Sequence, residues 1–86
     1  MKALCDAKTK AVAANIRKLR EFRNYTQEYL AAKLDISQNA YSKIELGYSN
    51  ITINRLVGIS EVLEIDLVDL INFNYDNLTQ LKVAKA

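Results

Sequence analysis

Four polar residues with side chains that can donate or accept hydrogen bonds lie within six positions: Gln38, Asn39, Ser42 and Lys43. Glutamine and asparagine can pair with adenine through two hydrogen bonds, lysine can donate to guanine acceptors, and serine can contact either base. On an α-helix that advances about 100° per residue, these four side chains share an arc of about 140°. The opposite side is expected to pack inward and consists of Ala40, Tyr41 and Ile44. The pattern predicts a helix over residues 38–46 that can enter a major groove; an ordinary solvated helix face is the alternative.

A second, shorter helix pattern precedes this segment and is suited to support it. Thr26 and Ser37 have hydroxyls that can cap the first turns of the two helices. Leu30 and Leu34 are expected to face inward, and Ala31 provides the small side chain that a crossing helix needs. Two short helices joined by a tight turn form the arrangement that places a helix in a DNA groove.

The turn between the two helices must reverse the chain within about three residues. Asp35 occupies this position, and we expect it to adopt the left-handed conformation, which aspartate tolerates better than most residues. Ile36 is expected to fill the space between the helices. Gln27 begins the first of the two helices, where its amide and the helix N-terminus can both bind a phosphate.

Residues 16–71 resemble the helix-turn-helix family of phage repressors and Cro proteins. The matching segments are Ile16-Arg17-Lys18-Leu19-Arg20, Thr26-Gln27-Glu28-x-Leu30-Ala31, Ile36-Ser37-Gln38 and Ile44-Glu45-x-Gly47. The resemblance implies an all-α, five-helix fold of the lambda-repressor type that binds double-stranded DNA. Three residues depart from the family pattern: Asp35 replaces a turn glycine, Tyr41 replaces a small aliphatic residue, and Thr52 stands where proline is common.

The resemblance also implies roles for individual residues. Base contacts fall to Gln38, Asn39 and Lys43, with Ser42 in support. Backbone phosphate contacts fall to Gln27 and to the loop after Gly47, which comprises Tyr48, Ser49 and Asn50. Arg17 is added on charge and proximity alone. Arg20 and Glu45 match positions that form a partly buried ion pair between the first helix and the reading helix.

Composition and charge fit one small DNA-binding domain. A chain of 86 residues supports a single modest core. Residues 1–48 hold nine basic and five acidic residues, whereas residues 49–86 hold three and five, so the half with the two-helix motif is the basic one. The sequence contains no apolar run long enough to span a membrane. Cys5 has no partner for an internal disulfide, and a free thiol suits the cytoplasm, where we expect the protein to act.

The sequence offers no support for catalysis. It has no histidine and one cysteine, and its two glycines form no phosphate-binding loop. Zinc ligands at characteristic spacing are absent, and the carboxylates show no acid–base pairing. We therefore expect a protein that is not an enzyme and that needs no metal, cofactor or small-molecule ligand.

The rest of the chain is predicted to be helical, apart from an N-terminal tail over residues 1–8. A helix from about Thr9 to Arg23 completes the first part of a domain over residues 9–72. A fourth helix is expected from about Thr52 to Glu64, although Gly58 lowers its stability by about 1 kcal/mol relative to alanine. Its inner face would contain Ile53, Leu56, Val57, Ile59 and Leu63. A short fifth helix, capped by Asp66, would run to about Asn72 and bury Leu67, Leu70 and Ile71.

Residues 73–86 are predicted to be a C-terminal extension that supports a homodimer. The expected interface consists of Leu70, Phe73, Tyr75, Leu78 and Leu81. Two copies related by a two-fold axis would read half-sites about 34 Å apart. Alternatively, Phe73 and Tyr75 close the core of the monomer.

The favoured function is a sequence-specific regulator, a repressor in particular. The alternative is a protein-interaction module such as an antitoxin subunit or part of a larger regulator.

Overall fold

Five α-helices make up the structure, a computed structural model that describes residues 2–48 and 50–73, with side chains from residue 7 onward. The helices are α1 (Lys2–Phe22), α2 (Gln27–Leu34), α3 (Gln38–Glu45), α4 (Ile53–Leu63) and α5 (Leu67–Asn72). The described residues contain no β-strand. The predicted all-α, five-helix fold class is therefore confirmed.

One hydrophobic core receives side chains from all five helices. Apolar residues three or four positions apart put one face of each helix inward. The buried members are Ile16, Leu19, Leu30, Ala31, Tyr41, Ile44, Leu56, Ile59, Leu63, Leu70 and Phe73. Complete burial of one large aliphatic side chain contributes about 1.5–3 kcal/mol, so this cluster is the main source of stability. Ala31 lies in it with 3% of its surface exposed, as the expected close crossing requires.

The first helix begins earlier than the sequence pattern indicated. It starts at Lys2 rather than near Thr9, so the predicted N-terminal tail is wrong for residues 2–8, which continue α1. The inner-face residues at helical spacing are Val12, Ile16, Leu19 and Phe22, so this pattern predicts a start only shortly before Val12. Residues 2–8 nevertheless consist mainly of alanine, leucine and lysine, which have high helix propensity, and they contain neither glycine nor proline.

Side-chain caps fix where three of the helices start. The hydroxyls of Thr26, Ser37 and Thr52 each accept a hydrogen bond of 3.0–3.1 Å from the backbone N–H three residues later. Each such cap typically contributes about 1 kcal/mol. The caps predicted at Thr26 and Ser37 are thus confirmed. Asp66, predicted to cap α5, makes no such side-chain bond within the described part of the chain.

The turn between α2 and α3 has the predicted left-handed residue. Asp35 has φ 59° and ψ 44° and ends α2. Its backbone N–H donates to the carbonyl of Ala32 at 3.2 Å, and the N–H of Ile36 donates to that of Ala31 at 3.0 Å. These bonds satisfy carbonyls that the helix end would otherwise leave unpaired.

Arginine side chains satisfy helix ends from other parts of the chain. Arg23, just after α1, donates to the carbonyls of Leu63 and Glu64 at 2.9 and 3.1 Å, at the end of α4. Arg55 of α4 donates to the carbonyl of Leu34 at 3.3 Å, at the end of α2. A cation at a helix C-terminus is favourable because the helix dipole is negative there. These contacts fix α4 against α1 and α2.

The buried face of α4 differs from the predicted one. Ile53 and Val57 are 66% and 37% exposed, so their predicted burial is wrong. Ser60 lies inward instead, and its hydroxyl donates to the carbonyl of Val57 at 2.7 Å. Leu56, Ile59 and Leu63 are buried as predicted, so the inner face is narrower than the apolar pattern. Gly58 lies close to α2, because a Cβ there would be 3.2 Å from the Cδ2 of Leu34.

Two further packing predictions were wrong. Ala40 is exposed, because α3 is only two turns long and buries Tyr41, Ile44 and Glu45 instead. Ile71 is 37% exposed, because the short α5 packs mainly through the neighbouring Leu70. Leu67 is half-buried against the core.

The start of the predicted dimer interface belongs to the core of the monomer. Leu70 is fully buried and Phe73 is 7% exposed, so neither offers surface to a second copy. Phe73 follows the alternative interpretation, in which it closes the core. The other predicted interface residues, Tyr75, Leu78 and Leu81, lie outside the described residues.

Candidate nucleic-acid interface

The outward face of α3 presents most of the predicted base-reading residues together. Gln38, Asn39 and Lys43 are exposed, and Ser42 between them is half-buried. The inward face is held firmly, with Tyr41, Ile44 and Glu45 exposed by 0%, 6% and 8%. The reading helix thus combines a fixed inner side with free amide and ammonium groups on its outer side. Those groups can donate and accept at base edges in the major groove.

The segment after α3 continues this face. The helix predicted over residues 38–46 ends one residue earlier, at Glu45, and Leu46 is its C-terminal cap residue. The Leu46 side chain is 54% exposed. Tyr48 is 77% exposed, and Asn50 is also exposed. Ser49, the third predicted phosphate contact of this loop, lies outside the described residues. Side chains at both ends of the loop are therefore available to a backbone phosphate.

Gly47 lets the chain leave α3 close to α1. It has φ 77°, and a Cβ there would lie 3.1 Å from the Cγ of Lys10. A side chain would be strained by the backbone conformation and crowded by Lys10. Glycine therefore brings the basic α1 next to the loop that carries Tyr48.

A buried carboxylate joins α3 to the first two helices. The predicted ion pair is present, with Arg20 Nε 2.6 Å from Glu45 Oε2 and Arg20 Nη2 3.2 Å from Glu45 Oε1. Gln27 Nε2 donates to Glu45 Oε1 at 3.1 Å. The hydroxyl of Tyr41 donates to Glu45 Oε2. We call Arg20, Gln27, Tyr41 and Glu45 the Glu45 network.

The charges of the Glu45 network are matched to its hydrogen bonds. Burial alone would raise the pKa of Glu45, but hydrogen bonds from Arg20, Tyr41 and Gln27 outweigh burial and lower it. The hydrogen bond to Glu45 raises the pKa of Arg20 despite partial burial. Burial first, and then the hydrogen bond to Glu45, raise the pKa of Tyr41. At neutral pH the network therefore contains a charged arginine, an ionised glutamate and a neutral phenol.

Two predicted phosphate contacts already have protein partners. Arg17 Nε lies 3.3 Å from Glu21 Oε2, in a pair whose side chains are 61% and 54% exposed. Such an exposed pair is weak, at about 0–1 kcal/mol, so a phosphate can compete for Arg17. Gln27 is half-buried and donates one amide hydrogen to Glu45. Its second amide hydrogen and its carbonyl oxygen are not used by that bond.

Sequence reasoning missed the hydroxyl of Tyr41 and the bond from Gln27 to Glu45. Tyr41 and Glu45 lie four positions apart in α3, a spacing at which helical side chains meet, and this could have revealed the first bond. The second bond depends on how α2 crosses α3, which no local pattern specifies.

Other kinds of site find no support in the described residues. No group of three or more histidine, cysteine, aspartate or glutamate side chains could hold a metal ion there. Within the same residues, each helix is too short or too polar to cross a membrane.

The geometry of α2 and α3 agrees with the comparison of this sequence with known families. The sequence profile of the helix-turn-helix family matches residues 16–70. This chain therefore belongs to the helix-turn-helix family of Cro and C1 type, a family of DNA-binding domains.

A solved structure supports the fold independently. The crystal structure of the clp gene regulator ClgR from Corynebacterium glutamicum superposes with a TM-score of 0.75 at 18% sequence identity. The match covers 91% of this chain and 83% of that chain. At this identity the likeness concerns the fold alone. No curated protein sequence gives a significant match to this chain.

Proposed function

We propose that the protein recognises a specific duplex DNA sequence with α3 and represses transcription from it. One observation carries the proposal: α3 is fixed by three buried residues while Gln38, Asn39 and Lys43 stay exposed on its outer face. A reading helix needs this combination, because discrimination between bases depends on side chains held in register with the groove. The proposed function is binding without catalysis, in the cytoplasm.

Individual residues receive separate roles in this proposal. Gln38, Asn39 and Lys43 contact base edges, with Ser42 in support. Gln27 and Arg17 bind phosphates on one side of the groove, and Tyr48, Ser49 and Asn50 bind them on the other. Phosphate contacts set affinity and register, whereas base contacts set sequence preference. Repression is supported by the resemblance to phage repressors.

We further propose that the protein acts as a homodimer. One reading helix contacts too few base pairs for selectivity, whereas two copies can read half-sites about 34 Å apart. Because Leu70 and Phe73 are buried, the apolar surface that α5 offers to a partner consists of Val68 and Ile71, which are 64% and 37% exposed.

Selection from a random duplex library, followed by affinity measurements at several salt concentrations, tests the proposal. On the selected site, Gln38→Ala should cost about 1–3 kcal/mol and relax preference at one base pair. Arg17→Ala should weaken binding to all duplexes and lower the slope of log affinity against log salt by about one. Glu61→Gln, which changes an exposed side chain of α4 outside the proposed DNA and dimer contacts, is the control and should change neither quantity.

The second candidate, a protein-interaction module, is favoured by a different observation. Leu46 and Tyr48 place two large apolar or aromatic surfaces, 54% and 77% exposed, at the end of the reading helix. Exposed apolar surface commonly marks a protein contact. A protein that enriches no sequence, and whose duplex binding is independent of salt, would contradict DNA reading and favour this candidate.

A further inference from the structure

The orientation of the Gln27 amide is fixed from inside the protein. Its Nε2 donates to Glu45 Oε1 at 3.1 Å, so the nitrogen side of the amide faces α3. A primary amide nitrogen carries two hydrogens, and this bond uses one of them. The other hydrogen is not used by this bond, and Gln27 is half-buried at the start of α2. The bond thus determines which group of Gln27 is presented to a ligand there.

The orientation of Glu45 depends in turn on Tyr41. The Tyr41 hydroxyl and Arg20 Nε both donate to Oε2, and Arg20 Nη2 donates to Oε1. Arg20 bonds both carboxylate oxygens, and the Tyr41 hydroxyl adds a second donor on Oε2, so the carboxylate is held with Oε1 facing Gln27. Tyr41 is fully buried, so its hydroxyl cannot contact a ligand directly. Any influence of this hydroxyl on binding must pass through Glu45.

We propose that Tyr41 is a positioning residue for DNA backbone binding. Its hydroxyl holds the Glu45 carboxylate so that Glu45 fixes the Gln27 amide, whose second N–H then donates to a phosphate. The inference rests on the proposed phosphate contact of Gln27. Tyr41 replaces a small aliphatic residue of the family pattern. The inference gives Tyr41 a role in DNA binding as well as in packing.

Fixing the amide before binding matters because an unrestrained glutamine side chain loses rotational freedom when it engages a ligand. Immobilising one such side chain lowers affinity by about 2- to 10-fold, and a side chain already held avoids most of this loss. Hydrogen bonds outweigh burial and lower the pKa of Glu45, whereas burial raises the pKa of Tyr41. Near neutral pH, Glu45 therefore stays ionised and Tyr41 stays neutral. Positioning of Gln27 should therefore not depend on pH in this range.

A double-mutant cycle in full-length protein tests the inference. Dissociation constants are measured for wild type, Tyr41→Phe, Gln27→Ala and the double variant, on the selected duplex and on an unrelated one. We expect each single variant to bind both duplexes about 2- to 10-fold more weakly. The double variant should bind no more weakly than Gln27→Ala, because Tyr41 acts only through Gln27. As the control, Tyr41→Phe combined with Gln38→Ala should show the product of the two single effects.

A spectroscopic measurement separates positioning from packing. In wild type, the two Gln27 side-chain amide protons should give well-separated NMR signals that exchange slowly, because one of them is bonded to Glu45. In Tyr41→Phe the ring is retained, and these signals should shift and exchange faster while the backbone spectrum outside the network is unchanged. Glu45→Gln, which keeps the shape of the side chain, should give the same change if Tyr41→Phe is too unstable to study.

The outcomes distinguish this inference from the proposed function. If Gln27→Ala binds as tightly as wild type, the proposed phosphate contact is wrong, and the inference that depends on it is wrong too. If Gln27→Ala weakens binding but Tyr41→Phe does not, the phosphate contact stands and the role of Tyr41 is contradicted. The same conclusion follows if the two effects multiply, or if the Gln27 amide signals are unchanged in Tyr41→Phe.

Discussion

At the scale of single residues, the Glu45 carboxylate connects the stability of the domain with its binding face. Glu45 is 8% exposed, and its carboxylate accepts hydrogen bonds from Arg20 of α1, Gln27 of α2 and Tyr41 of α3. A charge buried this deeply is tolerated only when it is paired and hydrogen-bonded. Removing it would leave the Tyr41 hydroxyl without its acceptor and Arg20 without its charged partner, with only the carbonyl of Tyr25 at 2.9 Å still bonded to Arg20.

The first prediction concerns this loss. Glu45→Ala should lower the free energy of unfolding by about 3–5 kcal/mol, because the partner charge is stranded. Glu21→Ala removes a carboxylate from the exposed pair with Arg17 and should change it by only about 0–1 kcal/mol. Urea denaturation of both variants provides the comparison. A Glu45→Ala protein with the wild-type melting temperature would show that the network adds nothing to stability.

The second prediction is a dependence of stability on acid pH. Because burial is outweighed by the hydrogen bonds that lower the pKa of Glu45, the unfolded carboxyl takes up a proton at a higher pH than the folded one. The contribution of Glu45 is therefore fully present above its ordinary pKa of 4.5 and is lost as pH falls through the lowered value. Denaturation midpoints between neutral and acid pH should decline more steeply below this point for wild type than for Glu45→Gln. Parallel curves would contradict the assignment.

At the scale of elements, the sequence predicted features that depend on neighbouring residues and missed those that depend on how helices cross. The caps at Thr26 and Ser37 and the left-handed Asp35 follow from local hydrogen bonding and backbone sterics. In α4, Leu56, Ile59 and Leu63 are buried as predicted, whereas Ile53 and Val57 are exposed and Ser60 is buried. Adjacent apolar residues in α4 do not define the edges of its inner face, which depend on how α4 packs against α1, α2 and α5.

The third prediction uses the turn between α2 and α3. Asp35 has φ 59°, a conformation that costs a residue with a side chain about 1–2 kcal/mol relative to glycine. Asp35→Gly should therefore raise the free energy of unfolding, by up to about 1 kcal/mol after the greater flexibility of unfolded glycine is included. Asp35→Ala is the contrasting variant. Because alanine tolerates this conformation less well than aspartate, Asp35→Ala should lower the free energy of unfolding. Thermal denaturation measures both, and a less stable Asp35→Gly would show that the aspartate side chain favours this turn.

At the scale of the whole molecule, the start and end of the domain were the least predictable parts. Residues 2–8 continue α1 because of helix propensity, although they lack an inner-face pattern. Phe73 lies in the core directly after α5, and no short-range signal specifies that placement. The candidate site was more predictable, since the outer face of α3 follows from helix periodicity alone. The bond from Tyr41 to Glu45 lies within α3 and is consistent with their spacing of four residues, whereas the bond from Gln27 was missed because it requires α2 and α3 in their final positions.

The last prediction separates assembly from folding in α5. If two copies associate through the exposed face of α5, Val68→Asp should give a folded monomer, because Val68 is 64% exposed and a buried interface rejects an unpaired charge. Operator affinity should fall because the two half-sites are no longer bound together. Leu70→Ala is the contrasting variant, since Leu70 is fully buried and its truncation should cost about 2–5 kcal/mol of stability. Sedimentation and operator binding of Val68→Asp test this prediction. If Val68→Asp remains a dimer with wild-type affinity, the interface lies elsewhere. If the wild-type protein is monomeric at high concentration, the dimer itself is refuted.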